Sequence, residues 1–159
     1  MPPRADAPRP AGPAAAGEVV GRPPLPEPAA TPQTVPYWEM AAAGVLALRR
    51  CSSCSAAFHG AVDCCPECGS GATEWFAASG RARLYSYVIV HRGEGGFAER
   101  TPYAVAVVEL EEGPRMLTGI AGVEPVPESL VLDMPLQVAF EARGGYALPV
   151  FGPAAQVPG

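Results

Sequence analysis

The sequence predicts a mainly β fold in which a short N-terminal helix and a metal-binding ribbon precede a five-stranded barrel. Three observations support this. Four cysteines form two Cys-x-x-Cys pairs between Cys51 and Cys68, and an Ala-rich stretch ends at Gly44 just before them. From residue 79 onward, short runs of β-branched and aromatic residues are separated by Gly and Pro, a pattern typical of strands.

The Ala-rich stretch predicts a short helix that begins at Pro36. Proline suits the first turn of a helix, alanine favours the helical backbone, and Gly44 ends it. Tyr37 and Trp38 place two large aromatic side chains on a helix of only two turns. These side chains must pack on the domain or on another protein. We therefore take Tyr37 and Trp38 as candidate partner-binding residues.

The two cysteine pairs, Cys51/Cys54 and Cys65/Cys68, have the spacing of a metal site. Each pair forms a tight turn, called a knuckle, and two facing knuckles place four thiolates at the corners of a tetrahedron. Zinc is the expected metal, and four sulfur ligands would make it structural because no position remains for water or substrate. Iron uses the same ligands and stays an alternative. Disulfides are disfavoured because the chain shows no secretory signal.

Two further residues near the knuckles resemble ligands but are not assigned as such. Cys64 directly precedes Cys65, and its use would spoil the spacing of the second knuckle, so it is expected to be a small apolar filler or a spare thiol. His59 lies between the knuckles, and we expect packing or a surface position because four cysteines already fill the site.

Strands are expected on both sides of the knuckles, at Val45–Arg50 and Glu74–Phe76. Helix, strand, knuckle, loop, knuckle and strand together describe a zinc ribbon. Such a unit is too small to remain folded without its metal.

The remainder predicts five strands with one long connection, residues 121–135, which holds one helical turn near Glu128–Leu130. This arrangement suits a small Greek-key barrel of the OB type, although an open five-stranded sheet explains the periodicity almost as well. The predicted strands are Arg81–Val90, Tyr103–Leu110, Arg115–Ile120, Leu136–Glu141 and Tyr146–Phe151.

The predicted organisation has four parts. Residues 1–34 are a disordered tail rich in Pro and Ala, residues 35–76 hold the helix and ribbon, residues 77–152 form the barrel, and residues 153–159 are a loose tail. The first part carries too few large apolar groups to offset the entropy of ordering it.

Composition narrows the function classes. The formal net charge is −5, and all 11 basic residues are Arg. A nucleic-acid-binding protein usually presents a basic face, which this composition does not favour. No apolar run approaches the ~20 residues of a membrane helix, and the N-terminus lacks the apolar core of a signal peptide. These features predict a cytoplasmic protein.

The chain from Tyr37 to Phe151 resembles the acyl-CoA-associated OB-fold family that carries an N-terminal rubredoxin-like zinc ribbon. The four cysteines alone occur in many zinc ribbons. A ribbon followed by these barrel motifs in this order is more specific to the family. The matching residues are Tyr37-Trp38, Gly44, Cys51, Cys54, Cys65-Pro66, Cys68, Trp75, Ser79-Gly80-Arg81, Leu84-Tyr85-Ser86-Tyr87, His91-Arg92, Pro102-Tyr103, Val107–Leu110, Arg115-Met116-Leu117 and Leu132–Pro135.

The sequence departs from this family at two places. Its members usually carry Gly after the second cysteine, where this chain has Ser55. They also tend to carry Pro-Pro-Arg in the loop where this chain has Gly60-Ala61-Val62. A phosphate or partner contact that depends on that Arg is therefore not carried over to this chain.

The resemblance implies a non-catalytic accessory subunit. Similar proteins form complexes with thiolase-superfamily enzymes, including lipid-transfer-like aldolases and ketosynthase-like acyltransferases, or are fused to hot-dog-fold hydratases. The expected partner is such an enzyme acting on acyl-CoA or another acyl thioester, in a hetero-oligomer. Two alternatives remain: a nucleic-acid-binding ribbon and OB barrel, and a rubredoxin-like electron carrier.

His91 and Arg92 are the weakest of the candidate site residues. They follow the first barrel strand, and with Arg100 nearby they could meet a CoA phosphate or a carboxylate. Plain exposure or packing is the alternative. The Gly-rich loop at Gly93–Gly96 has no following helix, so it is not a phosphate-binding motif, and no catalytic residue is predicted.

Overall fold

One α-helix, eight strands and one 3₁₀ helix make up the residues that the computed structural model describes, 23–60 and 62–154. No helix within these ranges is long and apolar enough to cross a membrane. The elements are α1 Val35–Ala42, β1 Ala47–Cys51, β2 Ala57–Phe58, β3 Thr73–Ala77, β4 Arg81–Val90, the 3₁₀ helix Gly95–Arg100, β5 Tyr103–Leu110, β6 Arg115–Gly119, β7 Pro135–Arg143 and β8 Tyr146–Pro153.

The strands form two antiparallel sheets, of order β2-β1-β3 in the ribbon and β6-β5-β4-β7-β8 in the barrel. The ends of the second sheet approach each other, because Ile120 forms a parallel bridge with Phe151. The N–H of Ala121 also donates to the Phe151 carbonyl at 2.8 Å. The mainly β fold is confirmed, and the second sheet is a nearly closed barrel rather than an open sheet.

The predicted and observed strands agree most closely in β4 and β5, whose bounds are the same. The short strand β2, which pairs with β1, was not predicted, because two residues carry no periodicity. The helical turn expected near residue 129 is present as two turn hydrogen bonds, from Ser129 to Val126 and from Leu130 to Pro127.

The ribbon and the barrel share one hydrophobic core. Leu84, Val108 and Phe151 are fully buried in the barrel, where strand alternation sends every second side chain inward. Leu46 and Leu48, which lie just before and within β1, belong to the same cluster. A separate small cluster of Cys51, Phe58 and Cys65 lies within the ribbon, so the ribbon has its own cluster at the knuckles and shares the barrel core at the start of β1.

Helix α1 packs on β8 and on the ribbon. Its N-terminus contains Pro36, and Gly44 ends it with φ 77°, a left-handed conformation that favours glycine. The ring of Trp38 meets that of Tyr146 on β8 edge to face, with 5.0 Å between centroids. The aromatic residues of the helix thus pack on the domain itself.

Residues 23–34, which we call the N-terminal strap, lie against the barrel, although the sequence placed them in a disordered tail. The N–H of Ala30 donates to the Tyr146 hydroxyl at 3.2 Å. A Cβ placed on Gly96 would lie 2.6 Å from the carbonyl oxygen of Pro24, so strap backbone covers this glycine. Residues 1–22 and 155–159, the rest of the two predicted tails, lie outside the described residues.

Replacing Gly96 with Ala should displace the strap, because the new methyl group would meet the Pro24 carbonyl, which cannot rotate away as a side chain can. We expect faster hydrogen exchange at strap amides such as Ala30, with little change in β4 and β5. Gly71→Ala is the control, since its Cβ would have no neighbour closer than 4.0 Å. Unchanged exchange in the strap of Gly96→Ala would contradict the packing.

Candidate metal centre and adjoining cavity

Four cysteine sulfurs converge at one end of the ribbon. The Sγ atoms of Cys51, Cys54, Cys65 and Cys68 all lie within 4.8 Å of one another. The Cys51–Cys68 and Cys54–Cys65 sulfur pairs are each 3.6 Å apart. A disulfide would require about 2.05 Å, whereas four Zn–S bonds of about 2.3 Å in a tetrahedron place sulfurs roughly 3.8 Å apart. The geometry fits a tetrahedral metal site.

The two knuckles are built by the same backbone pattern. The N–H of Ser55 donates to the Cys51 carbonyl, and the N–H of Gly69 donates to the Cys65 carbonyl, each at 2.9 Å. The first cysteine of each pair is buried and the second is exposed. Each knuckle therefore contributes one sulfur from a buried cysteine and one from an exposed cysteine to the four-sulfur cluster.

The backbone of the first knuckle also favours the thiolate form of Cys51. Hydrogen bonds from the backbone N–H groups of Cys54 and Ser53 lower the pKa of the Cys51 thiol to about 6. The pKa values of Cys54 and Cys68 are raised in the same cluster, that of Cys54 to about 12, so the lowering concerns Cys51 and not these two ligands. The thiolate is the form that binds metal, and metal binding releases the remaining protons.

The other two candidates near the knuckles lie outside the cluster. Cys64 is an exposed free thiol, and the four-cysteine group does not include it. The His59 ring lies against that of Tyr37, with 5.9 Å between centroids. Partial burial against neighbouring protein atoms lowers the pKa of the imidazole, which favours the neutral ring, although the residue keeps an exposed surface.

A cavity of about 810 Å³ lies between the ribbon, helix α1 and the barrel. Its aromatic residues come from all three: Tyr37 and Trp38 of the helix, Trp75 of the ribbon, and Phe97 and Tyr103 near the barrel. The Tyr37 ring touches both Trp38 and Trp75, with centroids 5.0 and 6.2 Å away. Burial raises the pKa of Tyr37 to about 12, so its hydroxyl stays protonated at physiological pH.

Charged residues line another part of the same cavity. Arg100 and Arg143 both approach the Oε1 atom of Glu141, at 3.4 and 3.5 Å. The guanidinium of Arg143 also lies over the Phe97 ring, 5.7 Å from its centroid. Its Nε is buried and has no hydrogen-bond partner among the described residues, a costly arrangement of about 1–3 kcal/mol for a donor of this kind.

Comparison with known proteins matches two family models to this architecture. The model described as the ChsH2 rubredoxin-like zinc ribbon domain covers residues 38–74, and that of the ChsH2 C-terminal OB-fold domain covers residues 75–141. A chain in the solved structure named "Ltp2-ChsH2(DUF35) aldolase" is 35% identical and matches with a TM-score of 0.71, over 81% of this chain and 100% of that one. The chain belongs to the ChsH2/DUF35 family.

The curated relatives match this chain over only part of their own length. A "Probable enoyl-CoA hydratase alpha subunit" of Thermomonospora curvata is 35% identical over 81% of this chain and 40% of its own length. A "DUF35 domain-containing scaffold protein" of Methanocaldococcus jannaschii is 32% identical over 57% of this chain and 64% of its own. The chain thus spans less than two thirds of the curated relatives it matches.

A second solved structure supports the fold alone. It is a DUF35 family protein of unknown function from Sulfolobus solfataricus, with a TM-score of 0.52 and 16% identity, covering 67% of this chain and 77% of that one. The ribbon and barrel are therefore retained while most side chains differ.

Ser55, where the resemblance leads us to expect Gly, has a backbone conformation that favours glycine. Ser55 adopts φ 65°, and the equivalent residue of the second knuckle, Gly69, adopts φ 74°. Both values lie in the left-handed region, which a residue with a Cβ enters at a cost of roughly 1–2 kcal/mol. The first knuckle therefore carries a Cβ in a left-handed backbone at the position where the second has glycine.

Ser55→Gly should stabilise the metal-loaded protein by about 0.5–1 kcal/mol, since relief of the left-handed strain exceeds the entropy that glycine loses on folding. Urea unfolding with zinc present measures this change. Ser52→Gly is the control, because Ser52 is exposed and has no left-handed backbone to relieve. A Ser55→Gly protein that unfolds at lower urea than the parent would refute the interpretation.

Of the remaining predicted site residues, His91 and Arg92 lie apart from the cavity, whereas Tyr37 and Trp38 line it. His91 and Arg92 are exposed at the end of β4 and do not line it. Their assignment to a CoA or phosphate contact stays a prediction. Tyr37 and Trp38 are half-buried, which leaves part of each ring for a partner, and their partner-binding assignment also stays a prediction.

Sequence reasoning did not find Arg143 or the cavity. Arg143 ends β7 and stands beside residues that are more than forty positions away in the chain. One sequence signal was available: Glu141 and Arg143 alternate on a strand, and so share a face, close to the Gly144-Gly145 turn.

Proposed function

We propose that this chain is a non-catalytic, zinc-binding accessory subunit that binds and stabilises a thiolase-superfamily enzyme acting on acyl-CoA or other acyl-thioester substrates. The observation that carries the proposal is the match to the ChsH2 chain of the Ltp2-ChsH2(DUF35) aldolase along that chain's whole length. That name pairs the similar chain with a second protein, Ltp2. The scaffold names of three archaeal relatives agree with a supporting role.

The proposed metal is one structural zinc held by Cys51, Cys54, Cys65 and Cys68. Four thiolates complete a tetrahedral shell, so the zinc would organise the ribbon and leave no position for substrate. A cytoplasmic location belongs to the same proposal, since a reducing compartment keeps the thiolates available for metal.

Cys65→Ser should lose the metal, because a hydroxyl is a poor ligand for zinc and Cys65 is buried inside the second knuckle. We expect one zinc per parent chain and far less than one in the variant, measured by elemental analysis after dialysis. Cys64→Ser is the matched control and should keep its zinc, since Cys64 lies outside the cluster. Iron in the parent, or zinc retained by Cys65→Ser, would overturn this part of the proposal.

The barrel offers an apolar surface for the partner. The strand register places Val88, Val105, Val107 and Leu117 on one face of β4, β5 and β6, which we call the outer valine face. Val88 is 60% exposed and Leu117 is 70% exposed. Exposed apolar residues that cluster in this way mark interaction surfaces on many proteins. We place the partner on this face, beside the half-exposed rings of Tyr37 and Trp38.

Co-expression with the thiolase-like protein of the same cells should yield a stable complex. Val88→Asp should weaken it by at least tenfold, because a carboxylate would have to be desolvated inside an apolar contact. Ala142→Asp makes a similar change at an exposed position of β7 and should leave the affinity unaltered. Separate elution of the two parent proteins, or equal affinities of both variants, would argue against the proposed partner or its surface.

A hydratase is the second candidate partner. The observation that favours it is the enoyl-CoA hydratase alpha subunit of Thermomonospora curvata, which matches across 81% of this chain. The complex isolated from native cells distinguishes the two candidates, because a thiolase-like and a hot-dog-fold protein are told apart by their peptide masses. Binding of single-stranded nucleic acid, which the net charge of −5 disfavours, would point to neither.

A further inference from the structure

The cavity between the ribbon, helix and barrel has the size of a small-molecule site. Its volume of about 810 Å³ falls within the ~300–1,000 Å³ that such sites span. The bulk of its wall is apolar and aromatic, with a few charged groups on one side. We propose that this cavity binds a small apolar molecule that carries one carboxylate. The inference goes beyond the proposed partner role, because it concerns a ligand of this subunit itself.

The aromatic part of the wall determines what the body of the ligand must be. Tyr37, Trp38 and Trp75 form a contiguous group of rings, since Tyr37 contacts both tryptophans. Leu148 and Val150 of β8 line the cavity as well. Rings and aliphatic side chains of this kind favour a flat or branched hydrocarbon body over a sugar or a nucleotide, whose hydroxyls would lose hydrogen bonds to water.

The charged residues on one side of the cavity indicate which polar group the ligand carries. Two guanidinium groups, those of Arg100 and Arg143, share a single oxygen of Glu141. The buried Nε of Arg143 lacks an acceptor in the described part of the chain. That Nε is shielded from the cavity, but the Arg143 guanidinium lines it, and its 3.5 Å contact with Glu141 is longer than the ~2.7–2.9 Å of a charge-assisted hydrogen bond. The terminal nitrogens of Arg143 therefore keep donor capacity toward a ligand. A carboxylate meets this need, because a guanidinium binds it through parallel charge-assisted hydrogen bonds.

The surrounding charges are consistent with an anion rather than a cation. Glu141 is already engaged by both arginines, and Glu99, which also lines the cavity, makes interactions of its own. A ligand cation would have to compete with Arg100 or Arg143 for these carboxylates. A ligand anion would instead supply hydrogen-bond acceptors to the guanidinium of Arg143.

The experiment uses the zinc-loaded full chain and isothermal titration calorimetry. The probes are 2-naphthoate, its neutral counterpart 2-naphthamide, and octanoate as a linear carboxylate. We expect saturable binding of 2-naphthoate or octanoate and at least tenfold weaker binding of the amide. Both tryptophans of the chain line the cavity, so binding should also change the intrinsic fluorescence.

Four variants test the site, one of them a control. Arg143→Met should weaken naphthoate binding by about 10- to 100-fold, the usual effect of losing a charge-assisted hydrogen bond, while Arg143→Lys should retain part of the affinity. Arg81→Met removes the same charge from an exposed arginine that pairs with Glu111, and should leave binding unchanged. Leu148→Trp should abolish binding by filling the cavity. Circular dichroism and zinc content show that each variant is folded.

The results separate this inference from the proposed partner role. Absence of carboxylate binding at millimolar concentration, equal binding of naphthoate and naphthamide, or equal losses in Arg143→Met and Arg81→Met would each overturn the cavity site. Val105 and Leu117 belong both to the cavity wall and to the outer valine face, so partner capture is judged by Val88→Asp, because Val88 lies on that face and does not line the cavity. Conversely, carboxylate binding by a chain that captures no partner would support the cavity and refute the accessory role.

Discussion

Strand β1 joins the metal centre to the hydrophobic core, and the rest of the structure depends on that connection. Leu46 and Leu48 are buried in the core of the barrel, and Cys51, at the other end of the same five-residue strand, belongs to the cysteine cluster. A ribbon of this size cannot bury enough apolar surface to be stable alone. Its order therefore comes from the barrel at one end and from the metal ligands at the other.

The same connection accounts for the cavity. His59 and Trp75 belong to the ribbon, and Leu148 and Val150 belong to β8, so opposite parts of the wall come from the two sheets. Helix α1 fixes their separation because Trp38 packs on Tyr146 of β8 and Tyr37 packs on Trp75 of β3. The tyrosine hydroxyl that accepts the Ala30 N–H extends this support to the N-terminal strap. Tyr146 of β8 thus contacts both helix α1, through the ring of Trp38, and the N-terminal strap, through the N–H of Ala30.

Local signals in the sequence predicted much of this fold. The spacing of Cys51, Cys54, Cys65 and Cys68 predicted their convergence, because a Cys-x-x-Cys turn orients both sulfurs within four residues. The bounds of β4 and β5 followed from β-branched runs closed by Gly and Pro. The strap was not predicted, since it contacts Gly96 through backbone carbonyls, which leave no trace in composition. Nor was the cavity, because Trp38, Phe97 and Arg143 are brought together only by the closure of the barrel.

A closed metal site can still affect binding elsewhere in this molecule. The β1–β3 pairing runs from Cys51 opposite Thr73 to Ala47 opposite Ala77, and Arg49 opposite Trp75 lies between these pairs. Arg49 also donates to the Val62 carbonyl at 2.6 Å, in the loop between the knuckles. Its guanidinium lies 5.3 Å from the centroid of the Trp75 ring, which lines the cavity. The metal ligands thus hold the strand and the loop that position Trp75, so a structural metal would shape the cavity without touching its contents.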